Sequence, residues 1–209
     1  MRTIAFCESD PGCRAVLRRH WPGVPIHEDV HDLGAVECDL ISGGFPCQPF
    51  STAARGRNNA ADLWPEMLRI VRASRPGWVL AENVPGLGVA GIDRVCADLE
   101  DAGYTCWPLD LDTAPPGRQR ERRRIVFVAY AHREGEPRRA INEEVAGIRD
   151  LPGCYEAHDP APMGVDDVLP GRMDRLRMLG NAVSPWIVEL IGRAIMTAER
   201  TDDIRPPSK

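Results

Sequence analysis

Leu40-Ile41-Ser42-Gly43-Gly44-Phe45-Pro46-Cys47-Gln48-Pro49-Phe50-Ser51 decides how the chain is read. Its first four residues are small and apolar and predict a buried strand. The octapeptide Gly44–Ser51 then sets one cysteine between two prolines. Proline fixes φ and donates no backbone hydrogen bond, so Pro46-Cys47-Gln48-Pro49 cannot continue the strand. It predicts a stiff, exposed turn with a thiol at its tip, where a nucleophile would be held. A lone cysteine is more often a small buried hydrophobe; the two flanking prolines weigh against that here.

Outward from this turn, strands and helices alternate. Thr3–Cys7 reads as a short strand. Asp10-Pro11 supplies an N-cap and a first-turn proline for a helix through His20. A short strand near Val24–His27 precedes the one ending at Ser42. Asp62–Ser74 carries a helical stripe at Leu63, Met67, Ile70 and Val71. Trp78–Ala81 reads as a buried strand, and Ile92–Ala102 as a helix stopped by Gly103. Thr105–Leu111 and Ile125–Tyr130 read as two more strands. Residues 132–170 are polar, rich in Pro and Gly, and without period. Ser184-Pro185 opens a last helix with Ile187, Leu190, Ile191, Ala194 and Ile195 on its apolar face, and the tail from Thr201 is expected to fray. The alternation predicts an α/β doubly wound sheet. The chain shows no internal repeats.

At 209 residues the chain fits one ordinary domain, or one domain with a small appendage. A hydrophobic content of 43% is enough to build a core, and nineteen Pro with nineteen Gly imply many turns. The net charge of −5 excludes a globally basic protein, so any nucleic-acid contact must come from a local patch. The seven cysteines (7, 13, 38, 47, 96, 106 and 154) form no Cys-x-x-Cys pair, which argues against a disulfide framework and against a metal site. No leader and no long apolar run is visible, and the chain is expected to be cytoplasmic.

Ligands of open α/β sheets bind beyond the carboxyl ends of the strands. Glu8, Asp29, Cys47 and Glu82-Asn83-Val84-Pro85 each follow one of the first four predicted strands. An acid just past a strand commonly holds ribose hydroxyls. Taken singly, each is more often a cap or a solvated loop charge; the four are expected to share one rim.

Taken in order, Gly44–Ser51, Glu82-Asn83-Val84, the segment Arg118–Arg124 with the strand Ile125-Val126-Phe127-Val128-Ala129, and Leu179-Gly180-Asn181-Ala182-Val183-Ser184-Pro185 resemble the motifs of the DNA cytosine-5 methyltransferase family. The likeness spans residues 3–196 with a gap at 132–170. It implies a Rossmann-like sheet that uses S-adenosylmethionine to methylate C5 of cytosine in double-stranded DNA. C5 is a poor nucleophile. In the family a thiolate adds to C6, C5 takes the methyl group, and loss of the C5 proton expels the sulfur. By resemblance Cys47 is that nucleophile, and it must be ionised to react. Glu82 matches the carboxylate at the N3 and exocyclic amine edge of the base, where burial would suit it to donate a proton. Arg122 and Arg124 match the arginines that contact the base oxygen and position the thiol. Glu8, Asp29, Phe45, Pro46 and Asn181 match cofactor-contacting positions. The target base lies within a duplex and must be flipped out to be reached.

Two departures stand out. Counting back from Ile125 selects Arg122 and Arg124 but leaves Arg120 where the family has Gln, while counting from Gln119 selects other residues; the strand-anchored register is adopted. With five arginines between 118 and 124 and Glu121 the only acid, the segment reads as a phosphate-contacting patch rather than a solvated charge run. Further, the family's Phe-x-Gly-x-Gly loop is absent, so the first strand, its loop and the next helix look missing. Three readings stay open: a start further upstream, a complementing N-terminal polypeptide, or an inactive DNA-binding remnant. The organisation expected is a catalytic core at 1–130, a short target-recognition region at 131–178, a returning C-terminal helix at 179–200 and a tail at 201–209. A different thiol enzyme with a histidine base is a weak fourth reading, because none of the five histidines sits in a motif that would bring it to Cys47.

Overall fold

The computed structural model describes residues 1–46, 62–112, 122–131 and 183–203. Its element order is β1 (Phe6–Cys7), α1 (Pro11–His20), β2 (Ile26–His27), β3 (Leu40–Gly44), α2 (Trp64–Ser74), β4 (Trp78–Asn83), α3 (Gly88–Asp101), β5 (Tyr104–Asp112), β6 (Arg123–Ala131) and α4 (Pro185–Asp203), with a single 3₁₀ turn at Pro85–Leu87 before α3. The fold is α/β, as the alternation predicts.

Local chemistry accounts for the first helix. Asp10 is its N-cap: Oδ1 accepts from the Gly12 N–H at 2.7 Å and the Cys13 N–H at 3.1 Å. Pro11 occupies the first turn, where its missing N–H is no loss. α2 begins two residues later than the stripe suggests, and Asp62 Oδ1 accepts from the Trp64 N–H at 3.1 Å. α3 starts at Gly88 rather than Ile92 and ends before Gly103, whose φ of +91° is the left-handed conformation expected of a helix stop.

β1 and β2 form a parallel pair, with Phe6 opposite Ile26 and Cys7 opposite His27. The other four strands form a sheet in the order β3-β4-β6-β5, in which β3 and β4 are parallel and β4 and β6 antiparallel. The order follows from composition. Residues 78–81 and 125–130 are buried on both faces, so β4 and β6 occupy the centre. β5 contains Pro108, which is tolerated at an edge because it has no hydrogen to donate to a neighbour. Val79 and Ala81 of β4 and Ile125, Phe127 and Ala129 of β6 pack with Trp64, Met67, Leu68 and Val71 of α2 and with Val95 and Leu99 of α3 in one apolar cluster. Two polar ties accompany it: Trp64 Nε1 donates to Asp98 Oδ2 at 2.7 Å, and the Tyr104 hydroxyl donates to the Pro76 carbonyl at 2.8 Å.

β4 is longer than the sequence suggests. Its pairing with β6 continues to Asn83 opposite Ile125, so Glu82 and Asn83 belong to the strand instead of following it. The strand keeps its backbone hydrogen-bonded as long as a partner is present, which an apolar run alone does not reveal. β1 and β2 are correspondingly shorter than expected.

The elements from β1 to β6 belong to one compact unit, apart from Asp112 at the end of β5. Arg122 and α4 belong to a second unit. α4 buries Ile187, Ile191, Ile195 and Ala198, one residue per turn, and runs through Asp203, past the expected fraying point at Thr201. The recognition region expected at 131–178 lies outside the described residues, apart from Ala131 at the end of β6.

Candidate active site

β3 and β4 run parallel with Gly44 directly opposite Glu82. A Cβ built on Gly44 would stand 3.5 Å from Glu82 Oε2, so the carboxylate lies over the end of β3, three residues before Cys47. Cys47 itself lies outside the described residues, and so does Asn181.

The strand register also selects an arginine. In the antiparallel β4–β6 pair Glu82 faces Val126, which makes Arg124 its diagonal neighbour on the same face of the sheet. Arg124 Nε lies 3.3 Å from Glu82 Oε1, with only 17% and 14% of the two side chains exposed. Alternation sends the adjacent Arg123 the other way, and its guanidinium pairs with Asp110 of β5. Arg124 and Glu82, matched to two separate motifs, therefore meet in space. Arg122 precedes β6, half-buried.

The motif's asparagine has a structural role that spacing did not disclose. Asn83 is 6% exposed. Its Nδ2 donates to the Phe45 carbonyl at 3.1 Å and its Oδ1 accepts from the Val84 N–H at 2.8 Å. It therefore clamps the chain two residues before Cys47. The Phe45 ring is 5% exposed and packs on Trp64 with centroids 5.0 Å apart. That ring belongs to the core, while Pro46 is exposed. Asn83→Ala would leave a buried carbonyl and an amide without partners, and is expected to destabilise the chain by about 1–3 kcal/mol. Urea unfolding measures this, and an unchanged midpoint would refute the clamp.

Glu8 and Asp29 follow the adjacent parallel strands β1 and β2. The Glu8 N–H donates to the His27 carbonyl at 2.9 Å, continuing that pairing by one residue. Glu8 Oε1 accepts from the Asp10 N–H at 2.7 Å, which orients the carboxylate beside the α1 N-terminus. Arg14 was not anticipated from sequence. It donates to the Glu8 and Ser9 carbonyls at 3.2 and 2.6 Å and pairs with Glu28 at 3.1 Å, so it braces the loop that carries Glu8. Only the i, i+6 spacing from Glu8 could have hinted at it, and that spacing is shared by many unrelated arginines.

Asp29 is exposed. Its Oδ1 accepts from the His31 N–H at 2.9 Å and pairs with His31 Nδ1 at 2.7 Å. The backbone hydrogen bond, then the ring contact, holds the Asp29 carboxyl below its ordinary range, and the same contact raises His31. Arg69 of α2 donates to the carbonyls of Val30, His31 and Leu33 and fixes the loop in place. Among the described residues no group of three or more His, Cys, Asp or Glu could hold a metal ion. No helix among them is long and apolar enough to cross a membrane.

A family profile described as C-5 cytosine-specific DNA methylase matches residues 1–151. The Type II methyltransferase M2.BsuMI of Bacillus subtilis is 32% identical over 142 residues, covering 61% of this chain and 36% of that one. The Type II methyltransferase M.HgiBI of Herpetosiphon aurantiacus is 31% identical over 139 residues, covering 60% and 31%. The matched part thus spans about a third of the length of these relatives. In fold the chain is similar to a DNMT2 variant from Spodoptera frugiperda, with a TM-score of 0.52 at 16% identity over 65% of this chain and 44% of that one.

Proposed function

Because the chain belongs to the C-5 cytosine-specific DNA methylase family, we propose that it transfers a methyl group from S-adenosylmethionine to C5 of a flipped cytosine in double-stranded DNA, through a covalent bond from Cys47 to C6. The single observation that carries this reading is the 3.3 Å Glu82–Arg124 pair at the end of β3. It joins a base-edge acid to a base-oxygen cation beside the strand that leads to Cys47. Three residues extend the chain by about 11 Å at most, which bounds how far Cys47 can lie from Gly44.

In this reading Glu82 holds the N3 and amine edge of the ring, with a proton at N3 as the sulfur adds. Arg124, and Arg122 before it, contact the base oxygen. Asn83 fixes the chain at Phe45, two residues before Cys47, and Phe45 anchors the end of β3 in the core. S-adenosylmethionine, when bound, supplies the methyl group. The carboxylates past β1 and β2 fit such a ligand, since Glu8 suits ribose hydroxyls and Asp29 suits an adenine amine; Phe45, Pro46 and Asn181 are the other positions proposed to contact it. Residues 1–130 act as the catalytic core and 131–178 as a short recognition region. The names of the relatives support a place in a restriction-modification pair, acting on DNA in the cytoplasm.

The second reading is that a complementing N-terminal polypeptide carrying the glycine loop adds a strand. Among the described residues β3 pairs with β4 alone and β1 with β2 alone, an arrangement in which a further strand, from this or another polypeptide, would have an edge to join. The test is incubation with duplex DNA and S-adenosylmethionine labelled in the methyl group, followed by nucleoside analysis. Label in 5-methylcytosine from the 209-residue chain alone is the expected outcome. Label only after an N-terminal polypeptide is added would support the second reading. DNA binding with no label in either case would leave an inactive remnant.

A further inference from the structure

Two cysteines unrelated to the Cys47 chemistry meet in the fold. Cys96 lies on α3 and Cys106 on β5, joined through the Gly103 turn, and their sulfurs are 3.3 Å apart. Both side chains pack against the apolar cluster under the sheet. Ten residues separate them, a spacing that matches no thiol motif; only the fold of α3 back along β5 brings them together. We propose that Cys96 and Cys106 are a modification site, a dithiol that small-molecule disulfides oxidise reversibly to an intramolecular disulfide tying α3 to β5. A bond of ordinary length needs the sulfurs to approach by about 1.3 Å.

The environment favours this pair over Cys7 and Cys38. The hydrogen bond from Cys106 lowers Cys96, and the same bond and burial raise Cys106. Burial and neighbouring carboxylates push Cys7 and Cys38 up. Cys96 is therefore the attacking sulfur. Its thiolate adds to one sulfur of the external disulfide and expels one thiolate. Cys106 then loses its proton and attacks Cys96 in the mixed disulfide, expelling the second thiolate. The protein loses two protons and two electrons in total, and the external disulfide takes them up to become two thiols.

The full chain, reduced and folded, is treated with oxidised glutathione, quenched in acid and labelled with N-ethylmaleimide. Trypsin releases residues 95–118 as one peptide holding these two cysteines and no others. The expected peptide lacks two hydrogens, carries no maleimide, and regains both labels after dithiothreitol. Cys106→Ser is expected to stop at a glutathione adduct on Cys96. Cys96→Ser should slow addition at Cys106 by about tenfold or more, because burial still holds the Cys106 thiol up. The proposal falls if the wild-type peptide keeps both maleimides while Cys7 is modified. It falls equally if Cys96 in the Cys106→Ser protein reacts no faster than Cys7.

Discussion

Cys47→Ser is expected to abolish both methyl transfer and the covalent complex with duplex DNA containing 5-fluorocytosine. A hydroxyl is far weaker than a thiolate as a nucleophile at neutral pH, because it is essentially never ionised there. Without sulfur at C6, C5 gains no enamine character and the ring stays unreactive. The expected fall in turnover is on the order of 10⁴-fold, a rise of about 5.5 kcal/mol in the barrier. Fluorine sharpens the readout. The last step of the proposed cycle removes a proton from C5, and with fluorine there the elimination cannot occur. The thioether should persist as a gel-stable complex for the native chain and be missing for Cys47→Ser. Methyl transfer at native rate by the serine protein would remove Cys47 from the chemistry. Retained DNA binding by that protein would show that the loss lies in bond formation.

Arg124→Met should destabilise the chain by about 1–3 kcal/mol and abolish methyl transfer. Removing one member of a fully buried ion pair costs more, about 3–5 kcal/mol, because the other charge remains uncompensated. Both side chains here keep some access to water, 17% and 14%, so the smaller range applies. The comparison that isolates the pair is a double-mutant cycle with Glu82→Gln. Glu82→Gln removes the charge that Arg124 balances, so the double substitution should cost less than the sum of the singles by about 1 kcal/mol. Urea unfolding gives the three values. Strict additivity would mean that the contact contributes nothing to stability. Wild-type turnover in Arg124→Met would mean that it contributes nothing to the site.

The site was partly legible before any coordinates. The proline-flanked cysteine and the acid-asparagine pair are local signals, and each was visible from residues within a few positions of each other. Five arginines in seven positions gave no such choice. Helix and strand contents were also readable, because Asp10, Pro11 and Gly103 act on their immediate neighbours. The ends of β4 were not, since Glu82 and Asn83 stay in the strand only because β6 runs beside them. That the Phe45 ring packs on Trp64, on a helix nineteen positions along the chain, was not legible either.

Sequence by itself determined the α/β alternation, the placing of one cysteine between two prolines and the order of the motifs. These rest on φ restriction, capping and apolar periodicity, which operate over a few bonds. Tertiary structure alone decided that Arg124 meets Glu82 while Arg123 turns to Asp110, that Asn83 grips Phe45, and that Cys96 touches Cys106. Each depends on how distant segments align, and a slip of one residue between β4 and β6 would turn every side chain of a strand to the opposite face. No pattern along a single strand contains that alignment; it is set by the packing of both faces at once.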